Sequence, residues 1–468
     1  MSFGLNRRTF LRAMSLAAVG LAGAPILAAC APAASTAVPT AAPKAEQPKA
    51  TEPPAAAAPA AKEPVTIVLN MRTGGDTGEP AIYVMRPAEF MKEHPEIKVE
   101  LAPIAEYETK AQTMAAAGTL GDVMWSSMYN GYHTRLMRQN IVIPVDDYLA
   151  KYNKQKTEWV PAAVEGLTWE GKMRGLPKCC HPSVSMIWVN NDMFKEAGLA
   201  VPTTYDHTHA DVMEWAKKLT KGTESDRQVY GMSFQIAASA FEYIYSAVRS
   251  FGGWEYNKEG TLSQADTAPW WDWLQWAYAA YSGKFIPVPE SLPTEGEQGL
   301  FAGKKIGMVF GGRWMHNRIV TATKAANNPF EWSIIQAPRE KNANGWISCV
   351  DTHSATTQSK HPEEAYLLSY ALADKRFGEL VMENQGYVTA RVDDIDTVNR
   401  LNLPVLQVQY KNIQMEQTLI QPANTRGAEV QTTLANEVQR IFQGAVPFGQ
   451  DALKGVKAVV DEILKKPF

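Results

Sequence analysis

The 468-residue chain has a formal net charge of -3 and is 10% aromatic, with 13 Trp and 17 Tyr. That balance excludes the basic footprint of a nucleic-acid binder, and the aromatic content suits both a large core and stacking on sugar rings. No P-loop, GxSxG or HExxH occurs, so the common signatures of NTPases and hydrolases are absent.

The first predicted element is a leader. Arg7, Arg8 and Arg12 precede an apolar run of small residues, and no acidic residue occurs before Glu46. This order marks 1–29 as a secretory signal. "RRTFLR" (Arg7–Arg12) resembles a twin-arginine export signal. "LAAC" (Leu27–Cys30) resembles a lipobox, which implies that Cys30 becomes the mature N-terminus and carries lipid. Loss of the three arginines with the leader takes the net charge from -3 to -6. From Cys30 to Pro64 Ala and Pro dominate. Such a segment buries too little apolar surface to offset its ordering entropy, so 30–64 reads as a disordered tether from a lipid anchor on the outer face of the membrane. No later run is apolar for long enough to span a bilayer.

The body begins with "VTIVLN" (Val65–Asn70), a β-branched run and hence a strand. A Gly-rich turn, a helix to His94, a strand at Ile97–Ile104, a helix stopped by Gly118 and a strand at Asp122–Ser127 follow. Alternation of strand and helix predicts an α/β fold with a mostly parallel sheet. Ligands sit at the carboxyl ends of such strands, so Arg72–Asp76 and Ser126–Tyr132 share a rim. At some 400 residues the body exceeds one ordinary core, and two lobes are expected. The middle, Ser183–Lys304, is helix-rich; Trp270, Trp273 and Trp276, three residues apart, read as a core face. Strands at Ile306–Gly312 and Glu331–Pro338 precede a helical tail.

In order and spacing, a set of landmarks resembles the extracellular solute-binding proteins of ABC importers, the class that includes the maltose-binding protein. They are "GDVMWSS" at Gly121, "GKMRGLP" at Gly171, "IWVNNDMFKEAGLAVPTTYD" at Ile187, "FAGKKIGMVFGGRW" at Phe301 and "NQGYVTAR" at Asn384. The resemblance implies two α/β lobes in the type II periplasmic-binding-protein arrangement, with a cleft crossed by hinge strands. Crossings are expected near Cys180–Val189, Lys305–Phe310 and Ser348–Ala355. Lobe one then holds 65–178 and 311–347, and lobe two holds 179–310 and 348–468. The implied function is capture of a small-molecule solute, a sugar in the first instance, by a monomer that needs no cofactor and delivers it to permease subunits. Departures such as Thr389 before Ala390-Arg391, where the family often has Pro, leave the solute open between a sugar and a phosphate ester, polyamine or peptide.

Candidate ligand contacts follow from the strand-end loops and from the resemblance. Arg72 and Asp76 follow the first strand; Trp125, Ser126 and Tyr129 end the third, with Ser126 expected to face the ligand if Trp125 is buried. Tyr243 lies in the helical middle. Trp254 follows "FGG", and Trp314 sits in "GGRW" where the family commonly stacks an aromatic. His181, Trp346 and Asp351, with His353, surround expected crossings, and Arg391 lies in the late "TAR". Cys349 has a bridge to Cys179 or Cys180 open to it. A metal at Cys179-Cys180-His181 needs Cys349 or His353 brought close. The rival class is a secreted glycosidase, which needs two carboxylates across a cleft; Asp146-Asp147 and Asp393-Asp394 are adjacent pairs that do not face each other.

Overall fold

β1 (Val65–Arg72), α1 (Glu79–Glu93), β2 (Ile97–Ile104), α2 (Tyr107–Ala117) and β3 (Val123–Ser127) open the described chain. The computed structural model describes residues 64–466, apart from 74–78, 129–130, 204–206, 224–226, 235–240, 258, 289–291, 344, 346–347 and 416–425. Each helix returns the chain over the sheet, so β1 pairs in parallel with both β2 and β3, with Val65 opposite Ile97 and Leu69 opposite Val123. Gly121 admits no side chain: a Cβ there would lie 2.7 Å from the Val68 carbonyl oxygen. That approach lets the Gly121 amide donate to Asn70 Oδ1 at 2.6 Å, which sets the height of β3 beside β1.

β4 (Leu176–Pro182) and β5 (Met186–Asn190) are close in sequence but belong to different sheets. With β6 (Arg227–Ser233), β7 (Ile306–Gly311), β8 (Trp332–Gln336) and β9 (Ser348–Ala355) they complete two five-stranded sheets. The first runs β2-β1-β3-β9-β4, and the second β8-β5-β7-β6 with the short strand Lys221–Gly222 at its edge.

The helices divide between these sheets. α3 (His209–Leu219), α4 (Phe241–Ser250) and α5 (Ala268–Ser282) cover one face of the second sheet, and α6 (Met315–Ala326) covers the other. α7 (Pro362–Ala371) and α8 (Lys375–Gln385) pack on the first sheet. α9 (Pro404–Met415) places Leu406 in the first lobe's core and Val408 against the second sheet. α10 (Gly427–Phe442) and α11 (Gln450–Leu464) return to the second lobe. Strand alternation builds the cores: Ile187 and Val189 face Trp270 and Trp273, while Met186 and Trp188 face Ile319. Trp270 and Trp273 are the core residues their spacing suggested.

The two-lobed α/β fold is therefore present, but its chain path differs from the expected division. Ser183–Ser185 carries the chain between sheets, within the expected Cys180–Val189 crossing. Lys305–Phe310 is no crossing, because β7 is paired on both edges inside the second sheet, Met308 opposite both Val189 and Met232. Within 311–347, α6 and β8 do not join the first lobe: α6 packs on the second sheet and β8 pairs with β5, Ile335 opposite Ile187. The second crossing falls instead between Gln336 and Ser348, and β9 is an interior strand of the first sheet, antiparallel to both β3 and β4. The chain changes lobe a third time by way of α9, which touches both cores, and α10 lies in the second.

Candidate functional site

The carboxyl ends of β1, β3 and β7 converge on a cavity of about 320 Å³ between the two sheets. Arg72, Glu108, Trp125, Ser127, Cys349 and Asp351 line it from the first lobe. Glu242, Arg313, Trp314 and Arg318 line it from the second.

Arg72 lies over one aromatic wall, its guanidinium carbon 4.4 Å from the centre of the Trp125 ring. Tyr107 meets the same indole edge-on at 5.4 Å. Arg72 is fixed by Glu79, Nη2 to Oε2 at 2.9 Å, and Glu79 also pairs with the buried Lys178. Burial pushes the Glu79 carboxyl up, but Lys178 and Arg72 together outweigh it and hold it at about 2.

The floor is an ion pair with two thiols beside it. Arg313 Nη2 stands 3.6 Å from Asp351 Oδ2, and the Arg313 guanidinium carbon sits 3.6 Å from the centre of the Tyr387 ring. Cys179 donates to Asp351 at 3.4 Å, and Ser127 Oγ lies 3.2 Å from Cys349 Sγ. Burial, reinforced by Asp351, pushes the Cys179 thiol up to about 12, so it stays protonated and unreactive. Cys179, Cys180 and Cys349 are all free, and no bridge closes the hinge.

The second lobe supplies the remaining aromatic. A Cβ on Gly312 would sit 2.1 Å from the Trp314 ring, so the indole folds down on a position that only glycine allows. Glu242, in the first turn of α4, accepts from Ser183 Oγ at 3.4 Å. Burial, aided by Asp351 and opposed by Ser183 and Arg313, pushes its carboxyl up to about 7.

The bacterial extracellular solute-binding protein model matches residues 74–375. The chain belongs to that family. No curated protein matches this solute-binding protein. Among solved structures it is similar to an ABC substrate-binding protein from Listeria monocytogenes in complex with cycloalternan, at 18% identity and a TM-score of 0.73, covering 86% of this chain and 99% of that one. It is also similar to an ABC transporter solute-binding protein from Thermotoga lettingae bound with α-D-tagatose, at 17% identity and a TM-score of 0.70, covering 86% and 100%. The sugar-binding protein MalE from Xanthomonas citri gives 16% identity and a TM-score of 0.71, covering 86% and 97%. At these identities the likeness concerns the fold.

Of the residues singled out in the sequence, Arg72, Trp125, Trp314 and Asp351 meet in the binding protein's cavity. Ser126 does not. It points to the opposite face of β3, its Oγ 2.8 Å from Nδ1 of the buried His133, and Ser127 takes the cavity side. Tyr243 packs in the second lobe's core, its hydroxyl donating to the Phe310 carbonyl at 3.4 Å. Trp254 is 39% exposed and lies under Arg249 rather than on the cavity wall. Arg391 is buried in the first lobe, ion-paired with Asp393 at 2.7 Å and Glu158 at 3.2 Å. His353 is structural: Nε2 lies 2.7 Å from the Tyr83 hydroxyl and Nδ1 3.2 Å from the Leu372 carbonyl. Asp76, Tyr129, Trp346 and Cys30 lie outside the described residues, as does the His181 side chain. Among the described residues no three His, Cys, Asp or Glu side chains gather as a metal site, and no helix is long and apolar enough to cross a membrane.

Glu108, Ser127, Glu242, Arg318 and Cys349 were not singled out as ligand contacts from the sequence. Ser127 was recoverable, since strand alternation places it on the Trp125 side. Glu242 carried no signal: one acid in the aromatic run "FEYIY" reads as the solvated edge of a helix.

Proposed function

We propose that this protein captures a carbohydrate between its lobes and delivers it to the permease subunits of an ABC importer, tethered to the outer face of the membrane through lipid on Cys30. The observation that carries this reading is the interlobe cavity itself, which combines an aromatic face at Trp314 with carboxylates and guanidinium groups drawn from both walls. A pyranose ring presents a C–H face to an indole and hydroxyls to such groups. Arg72 already covers Trp125, so Trp314 is the ring proposed to stack. The sugars held by the relatives from Listeria and Thermotoga support the same solute class. Phosphate esters fit less well, because Arg72 and Arg313 are engaged by Glu79 and Asp351.

Binding requires no chemistry. A ligand that touches both walls favours the closed arrangement by its differential contacts. One observation favours a second reading: Glu242, whose carboxyl burial pushes up to about 7, and Asp351 share a cleft, and a glycosidase uses two carboxyls across a cleft. Incubation with oligosaccharides decides between them. The transport reading expects every sugar to be recovered intact, with saturable binding by calorimetry; release of reducing ends would favour the hydrolase.

A further inference from the structure

Glu242 is the carboxylate that the second lobe contributes to the cavity, and its surroundings set it apart. Its Oε1 accepts from Ser183, on the Ser183–Ser185 crossing, and the Ser183 carbonyl in turn accepts from Ser246 Oγ at 2.7 Å, one turn along α4. The start of α4 is thus tied twice to a hinge segment. Across the cavity, Glu242 faces Asp351 and Cys349 of β9, and Arg313 beyond β7; Arg72, Glu108 and Arg318 complete the charged lining. Arg313 stands 3.6 Å from Asp351, and Arg72 bonds Glu79, so both of these guanidinium groups have a carboxylate partner other than Glu242.

We propose that Glu242 is a specificity-determining residue of the sugar cleft that holds its proton and donates it in a hydrogen bond to an acceptor oxygen of a neutral, hydroxyl-rich solute. The inference rests on the carbohydrate reading above and adds the ligand's charge to it. A carboxyl facing Asp351 in a half-buried cleft is costly to ionise, and its position at about 7 agrees with that geometry. A sugar that accepts from the neutral acid binds the protonated form and raises its pKa further. Binding is then full below neutral pH and weakens as pH rises and Glu242 must be reprotonated. A cationic solute would reverse the sign, because it would bind the ionised carboxylate.

The test is calorimetric titration of the full chain and of Glu242→Gln with maltotetraose, mannotriose, D-tagatose and D-mannitol between pH 5.5 and 9. The expected wild-type affinity for the sugar that binds is at least about tenfold weaker at pH 9 than at pH 6. Glu242→Gln keeps an N–H donor, so it should bind with an affinity near the wild-type value at pH 6 and show no pH dependence. A wild-type affinity that is flat or rises with pH overturns the proposal and leaves the carbohydrate reading standing. Loss of binding in Glu242→Gln at every pH, with native circular dichroism, also overturns it, because the charge would then be what the solute needs. Failure of all four sugars at every pH removes the carbohydrate reading, and the proposal with it.

Discussion

Arg313, from the turn after β7, places Nη2 3.6 Å from Oδ2 of Asp351 on β9, and the two side chains are 3% and 6% exposed. One buried ion pair therefore joins the second lobe to the interior of the first sheet at the cleft floor. Removing one partner leaves an uncompensated charge, so Arg313→Ala and Asp351→Ala are each expected to destabilise the fold by about 3–5 kcal/mol. The double variant should cost less than the sum, with a coupling of about 1 kcal/mol or more in urea denaturation. Strict additivity would mean that the pair does not act as a unit.

Gly312→Ala is expected to weaken sugar binding while the protein stays folded. The new methyl would lie 2.1 Å from the Trp314 ring, so the indole has to swing off its seat. Trp314→Ala should abolish binding at a modest stability cost, because Trp314 is only partly buried against the second lobe's cores. Trp273→Ala, at a residue 1% exposed, should cost about 3–5 kcal/mol. Thermal melts with and without sugar separate the two behaviours.

Acid stability should depend on Glu79. Its carboxyl is lowered from the ordinary 4.5 to about 2, so the stability it contributes is complete above pH 4.5 and is lost as pH falls towards 2. The shift corresponds to about 3 kcal/mol. Glu79→Gln should be less stable at pH 7, where it strands Lys178, and should lose much less than the wild type between pH 4.5 and 2. Urea midpoints across that range check the sign.

Besides Cys30, three thiols are expected to react under denaturing, non-reducing conditions, since Cys179, Cys180 and Cys349 are free. In the native protein they should react slowly, because all three are buried and Cys179 is pushed up to about 12. A count of one would instead establish a bridge.

Cys30→Ala should move the protein from the membrane fraction to the soluble one with its melting temperature unchanged, because on the proposed reading Cys30 serves only to carry the lipid. Retention in washed membranes would contradict the lipid anchor.

The parallel βαβ start was legible because β1 to β3 carry local signals: β-branched runs, a stop at Gly118 and short connections. The path between lobes was not. Whether β7 ends as a crossing or as an inner strand is decided by its pairing with β5, more than a hundred residues earlier in the chain. A second long-range pairing, of β8 with β5, places Trp332–Gln336 in the second lobe. At the site, Trp314 and Arg72 announced themselves by position after a strand, whereas Ser126 failed by a single step of alternation. Tyr243 and Glu242 are neighbours on one helix turn. The aromatic drew attention and packs in the core, while the acid beside it lines the cleft.

The central claim is that a sugar binds unchanged between the lobes against Trp314. Tryptophan fluorescence and melting temperature, read together as the protein is titrated with maltotetraose, mannotriose, D-tagatose and D-mannitol, test it most directly. The account predicts a saturable fluorescence change with at least one of these sugars, and a rise in melting temperature equivalent to about 2.7 kcal/mol at a hundredfold the dissociation constant. Both signals should be lost in Trp314→Ala, and the sugar should be recovered intact. No response to any sugar, or an undiminished response in Trp314→Ala, would contradict it.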